Sequence, residues 1–152
     1  MRLLGVLIVV FSFAGSILVC GDTALQTGET ITIQQEWKGY HCGYTEPSTL
    51  VIKTEDRWKE VWQKVHRLRL PRPELPQIDF QKEMIIAVFM GKRSSGGYDI
   101  EIVRITETRE EILVDVKEKE PPPGSLRTMA LTQPYHIVVI RRSPLPVRFQ
   151  PR

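Results

Sequence analysis

A chain of 152 residues suits one domain with one core and is short for two. With 41% hydrophobic and 26% charged residues it is neither a disordered chain nor a polytopic membrane protein, and Lys+Arg 21 against Asp+Glu 18, both scattered, leaves no basic footprint for nucleic acid. Three histidines, two cysteines and no asparagine are too few for a multi-ligand metal centre or a repeated catalytic machine, so no catalytic residue, metal or cofactor is expected.

Arg2 precedes an apolar run from Leu3 to Cys20, after which Gly21-Asp22-Thr23 opens a polar stretch. This is a secretory signal pattern, assigned to residues 1–21. Three readings of its end stay open. Ile17-Leu18-Val19-Cys20 reads as a relaxed lipobox, which makes Cys20 the lipidation candidate; a peptidase cutting after Ala14-Gly15-Ser16 or after Gly21 gives plain secretion; an uncleaved run gives an anchor. Each places the domain outside the cytoplasm, in the cell envelope or periplasm or secreted. Disulfides persist there, and a Cys20 to Cys42 bridge is open only where Cys20 is retained and unlipidated.

Residues 22–47 read as a spacer, a strand and an aromatic loop, and residues 48–150 as the main domain. Thr30-Ile31-Thr32-Ile33 and Leu50-Val51-Ile52 have strand character, and the glycine-punctuated Trp37 to Tyr44 lies between them as a loop. Thr54, Glu55 and Asp56 start a helix, with a hydroxyl cap and acids in the first turn. Trp58, Val61, Trp62, Val65 and Leu68 recur on one face of it. Pro71, Pro73 and Pro76 end the helix and extend the chain.

Met84 to Met90 and Tyr135 to Ile140 are apolar on both parities, as expected of strands covered on both faces. Tyr98 to Ile102 and Ile112 to Lys117 alternate and form a hairpin around Thr108, half exposed, with Asp115 and Lys117 outward. The fold class is α+β, mainly β: an antiparallel sheet, sandwich or roll of about six strands with one amphipathic helix.

His41-Cys42 invites thiol catalysis, but neighbours in an extended segment point to opposite sides. His66 lies near the helix end, where a cation is favoured, and His136 sits inside a strand. Gly91 to Tyr98 is the most distinctive stretch. It lacks the P-loop order and a following helix, which leaves a hairpin whose Gly96 and Gly97 supply positive φ or a bulge, or a recognition loop anchored by Tyr98. Glu120-Pro121-Pro122-Pro123-Gly124-Ser125 is stiff polyproline and reads as an edge device against strand addition. Arg141, Arg142, Arg148 and Arg152 form a basic, proline-interrupted C-terminus read as a solvated tail.

Ile78-Asp79-Phe80, the apolar strand ending in Gly91, Ser95-Gly96-Gly97-Tyr98, Pro121-Pro122-Pro123-Gly124 and Pro134-Tyr135-His136-Ile137-Val138 together resemble the PrcB C-terminal domain family over residues 48–150. Where that family commonly has Thr-Gly-Gly-Tyr, Ser95 keeps the hydroxyl. The resemblance implies an exported bacterial protein, often a lipoprotein, whose name-giving member binds and stabilises a surface protease complex. The same loop is similar to the Thr-Thr-Gly-Tyr loop of chagasin-type cysteine protease inhibitors, which implies a protease contact by another route. The expected partner-binding residues are Ser94, Ser95, Gly96, Gly97, Tyr98, Pro122 and Pro123. The expected function is non-enzymatic binding of a secreted or surface protease, with a protease inhibitor or a structural lipoprotein as the alternatives.

Overall fold

The structure is a computed structural model that describes residues 28–126 and 128–152. The signal segment 1–21 and Cys20 lie outside the described residues, and with them the lipobox and the Cys20 to Cys42 bridge. Among the described residues one helix and eight strands are found, in the order β1 (Glu29–Thr30), β2 (Gln35–Gly39), β3 (Ser48–Ile52), α1 (Glu55–Val65), β4 (Glu83–Phe89), β5 (Asp99–Glu107), β6 (Ile112–Lys119), β7 (Tyr135–Arg141) and β8 (Val147–Pro151). They form two four-stranded sheets, β1-β5-β6-β8 and β2-β7-β4-β3, antiparallel except for the β6–β8 pair.

The two apolar parities of β4 explain its central place. Met84, Ile86 and Val88 face the other sheet, where they meet Ile100, Ile102, Ile105, Ile112 and Val114. Ile85, Ala87 and Phe89 face α1 and join Trp58, Val61, Trp62 and Val65. Strand β7 does the same with Val138 and Ile140 on one side and Ile137 and Val139 on the other. A strand buried on both faces cannot alternate apolar with polar residues. Removing each such side chain from water contributes about 1.5–3 kcal/mol.

The helix forms over the segment that the spacing predicts. Thr54 stands at its N-cap in extended conformation and its carbonyl accepts the N–H of Trp58 at 3.1 Å, but its hydroxyl makes no capping bond. Leu68 departs from expectation, because the helix ends at Val65 and Leu68 lies beyond it, exposed. The prolines of the connector offer carbonyls without competing N–H groups. Trp58 Nε1–H donates to the Pro76 carbonyl at 3.1 Å and Trp62 Nε1–H to that of Pro73 at 3.2 Å, which straps the connector across the helix.

Five further expectations fail, each for a tertiary reason. The Thr30 to Ile33 strand is only the two-residue β1 with one further bond from Ile31 N–H to the Ile105 carbonyl, since the chain there crosses from one sheet to the other. Trp37 to Gly39, expected in a loop, belong to β2, which takes the open edge of β7. The basic C-terminus is not a solvated tail: Val147 to Pro151 pair in parallel with β6, and no alternating sequence signal announces a short edge strand containing Arg148 and Pro151. Because β8 lies there, Asp115 is buried rather than half exposed, and β6 is an inner strand, so the prolines that follow it guard no edge.

Candidate functional site

The strand pairs β2 and β3, β4 and β5, and β6 and β7 bring three connections together: residues 40–47, 90–98 and 120–134. Their main chains are tied to one another. Met90 N–H donates to the Pro134 carbonyl at 2.9 Å, Lys92 N–H to that of Thr45 at 2.8 Å, and Gln133 N–H to that of Tyr40 at 2.8 Å. Arg93 and Thr132 exchange N–H to carbonyl bonds of 2.8 and 3.0 Å, an isolated antiparallel bridge.

The Gly-Gly-Tyr turn sits inside this clasp. Ser95 is buried, and its carbonyl accepts the Thr132 hydroxyl at 2.9 Å. Gly96 N–H donates to the Thr128 carbonyl at 3.0 Å. Gly97 adopts φ +91, where a side chain is strained, and a Cβ there would lie 2.8 Å from Pro121 Cβ. Tyr98 is half-buried against the inter-sheet core, with the Arg93 guanidinium 5.6 Å from its ring centroid. The turn therefore needs Gly97 for its conformation, while Gly96, expected to share that role, does not take positive φ; through Gly97 the turn braces the polyproline stretch.

That stretch then turns outward. Pro122 accepts both the N–H and the hydroxyl of Ser125, at 3.2 and 2.7 Å, and Gly124 has φ +75. Beyond it Leu126, Met129 and Leu131 project into solvent, Met129 being 94% exposed, and Tyr40, whose carbonyl accepts the Gln133 N–H, is half exposed. Apolar side chains exposed together on a braced loop are the common mark of a protein contact. A groove of about 380 Å³ lies at the Gly-Gly-Tyr turn, lined by Tyr40, Gly96, Gly97, Tyr98, Lys119 and Thr128 among others. At its edge Lys38 Nζ lies 2.9 Å from Asp99 Oδ2; burial would lower the Lys38 pKa, but Asp99 and Glu101 outweigh it and hold the ammonium charged.

Of the expected contact residues, Ser94, Gly97, Pro122 and Pro123 are exposed, Gly96 and Tyr98 are partly covered, and Ser95 is buried. The structure brings the two stretches together through Gly97 and Pro121. Leu126, Met129, Leu131 and Tyr40 were not legible as contacts in the sequence. The one signal was three large apolar residues in a proline-led stretch with neither helical nor strand period.

The remaining chemistry-bearing groups are separate. His41 is exposed while Cys42 points inward, and burial, tempered by a contact from Sγ to the Tyr44 carbonyl and by nearby cations, pushes its thiol pKa up. A buried thiol held protonated is a poor nucleophile. His66, expected as a cation at the helix end, is buried instead, and burial with the nearby Arg69 lowers its pKa, so it is neutral at pH 7. Among the described residues no group of three His, Cys, Asp or Glu side chains could hold a metal ion, and no helix is long and apolar enough to cross a membrane.

Residues 84–141, from the first residues of β4 to the last of β7, match the family described as PrcB C-terminal. This stretch belongs to the PrcB C-terminal family. The match contains the Gly-Gly-Tyr turn and the whole apolar loop, and stops short of α1 and β8. No curated protein and no solved structure matches the chain.

Proposed function

We propose that this PrcB-like chain is a non-enzymatic, exported protein of the cell envelope that binds a protease complex and stabilises or regulates it. The carrying observation is the set Leu126, Met129 and Leu131, exposed on a loop whose base is pinned by Gly97, Pro121 and Thr132. A rigid base lowers the ordering cost of binding, and projecting leucine and methionine supply apolar area to a complementary pocket. Because Ser95 is buried and Gly96 is bonded to Thr128, the contact falls on the apolar loop, Tyr40, Pro122 and Pro123, with Ser94, Gly97 and Tyr98 at its rim. This favours a docking face over a glycine turn inserted into an active-site cleft.

In the test, the tagged chain is cross-linked in cells and recovered from the envelope fraction. A peptidase should be recovered, its lifetime should be longer with the chain than without, and a variant carrying Leu126→Ser, Met129→Ser and Leu131→Ser should lose it while melting at the same temperature. Equal recovery with that variant removes the loop from the mechanism. Peptidase activity that falls in proportion to added protein marks an inhibitor instead.

A further inference from the structure

A second surface lies at the C-terminal end of α1, away from the matched stretch. The helix and the connector 71–76 enclose a cleft of about 220 Å³, lined by Lys59, Trp62, Gln63, His66, Arg72 and Leu75 among others. We propose that this cleft binds a carboxylate carried by an acidic segment of a protein partner.

The charges around the cleft are unbalanced. Four arginines outside the cleft are matched by acids: Arg57 with Glu60, Arg104 with Asp115, Arg141 with Glu107 and Arg148 with Glu111, all within 2.9 Å. Among the described residues Lys59, Arg67, Arg69 and Arg72 make no ion pair, so this turn carries free positive charge in a run of both signs. Glu60 is held by Arg57, Glu74 is exposed on the connector, and neither carboxylate lines the cleft.

Inside the cleft, His66 is 4% exposed and neither ring nitrogen has a hydrogen-bond partner. A buried imidazole without partners costs free energy that a ligand can recover. The edge of Trp62 lies 4.2 Å from it between ring centroids, Lys59, Gln63 and Arg72 line the cleft with it, Arg69 is the charge that acts on it, and no acid lines the cleft. The helix carbonyls at this end oppose an anion, but two of them are already occupied, Trp62 by His66 N–H at 3.0 Å and Lys64 by Arg67 N–H at 3.5 Å. A carboxylate between Lys59 and Arg72 would meet two cations and give His66 an acceptor.

The shape and surroundings select a polypeptide. Leu68 and Leu70 stand beside the basic groups at 72% and 91% exposure, so the occupant offers apolar contact next to its acid, which a free inorganic anion does not. The recess is concave and accepts one side chain, which a flat bilayer does not supply.

Random peptides of about a dozen residues, panned against the full chain, test this. Sequences with Asp or Glu beside Leu or Phe should be enriched, and Lys59→Glu with Arg72→Glu should weaken the best of them at least about tenfold by fluorescence anisotropy. Binding should tighten as pH falls from about 8 to about 6, because the carboxylate favours the imidazolium, and this dependence should vanish in His66→Phe. Absence of acidic enrichment, or affinity unchanged in the charge-reversed variant, overturns the proposal. Vesicles containing about 30% phosphatidylglycerol that bind the chain but not that variant assign the surface to a membrane and overturn the protein partner. Because Leu126, Met129 and Leu131 play no part, the result is independent of peptidase recovery.

Discussion

His136 of β7 accepts the backbone N–H of Ile102 on Nδ1 at 2.9 Å, so its proton sits on Nε2, which donates to Glu36 Oε2 at 3.2 Å. The bond joins the two sheets where β5 bulges between Ile102 and Arg104, and it satisfies an amide that the bulge leaves beside the other sheet. Burial lowers the His136 pKa against the opposing pull of Glu36, and His66 is lowered as well. A lowered histidine stays neutral in the folded chain while the unfolded chain takes up a proton, so its stabilisation is complete above the ordinary value of 6.5 and declines as pH falls below it. The unfolding free energy from urea titration should be flat from about pH 8 to 7 and drop steadily toward pH 5, by at most about 1.4 kcal/mol per pH unit for each histidine. An unfolding free energy unchanged across that range contradicts the neutral assignment.

His66 gives the same effect without a hydrogen bond to lose. Its ring stacks edge-on against Trp62 and both nitrogens are unpartnered in a buried position. His66→Phe should therefore keep the aromatic contact, remain at least as stable at pH 7, and remove its share of the acid slope. His136→Leu should instead cost about 1–3 kcal/mol at pH 7, since it strands the Ile102 amide. Denaturation of the two variants at pH 7 and pH 5 separates them.

Gly97 and Gly124 both have positive φ but differ in surroundings. A Cβ on Gly97 meets Pro121, whereas nothing lies within 4 Å of one on Gly124. Gly124→Ala should cost only the backbone strain, about 1 kcal/mol, and Gly97→Ala about 1–3 kcal/mol. Pro121→Ala combined with Gly97→Ala should return part of the difference, a coupling that thermal melts of the double-mutant cycle measure. Equal losses for the two glycine variants would show that the turn does not press on the polyproline stretch.

What the sequence could show was local or periodic. The face of α1 follows from the spacing of Trp58, Val61, Trp62 and Val65, and the central strands from the unbroken apolar runs 84–90 and 135–140. Strands β2 and β8 were hidden because their stability comes from the neighbours they pair with, β7 and β6, and not from their own residues. The candidate site divides in the same way. The glycines and prolines announce a turn by their conformational rules, and positive φ is found at Gly97 and Gly124. The exposure of Leu126, Met129 and Leu131 depends on where the loop leaves the sandwich, and so could not be read from composition.

Asp115 shows how much one hidden strand changes. Its carboxylate accepts Arg104 Nε at 3.0 Å and Nη2 at 2.9 Å, and also the side-chain amide of Gln150 on β8. The Gln150 bond foremost, opposed by burial and aided by Arg104, holds its pKa below the usual value of 3.8. A carboxylate lowered in the fold contributes stability that is present above that value and is lost as pH falls through the lowered one, a window more acidic than that of the histidines. Asp115→Ala removes the acceptor shared by β6 and β8 and should cost about 1–3 kcal/mol, the lower part of the range because Arg104 is half exposed. Hydrogen exchange should localise the loss: amides of Val147 to Gln150 should exchange faster in the variant while those of β4 and β7 keep their protection. Uniform acceleration through both sheets would mean that β8 is held by its ladder alone and that the Asp115 to Gln150 contact does not anchor it.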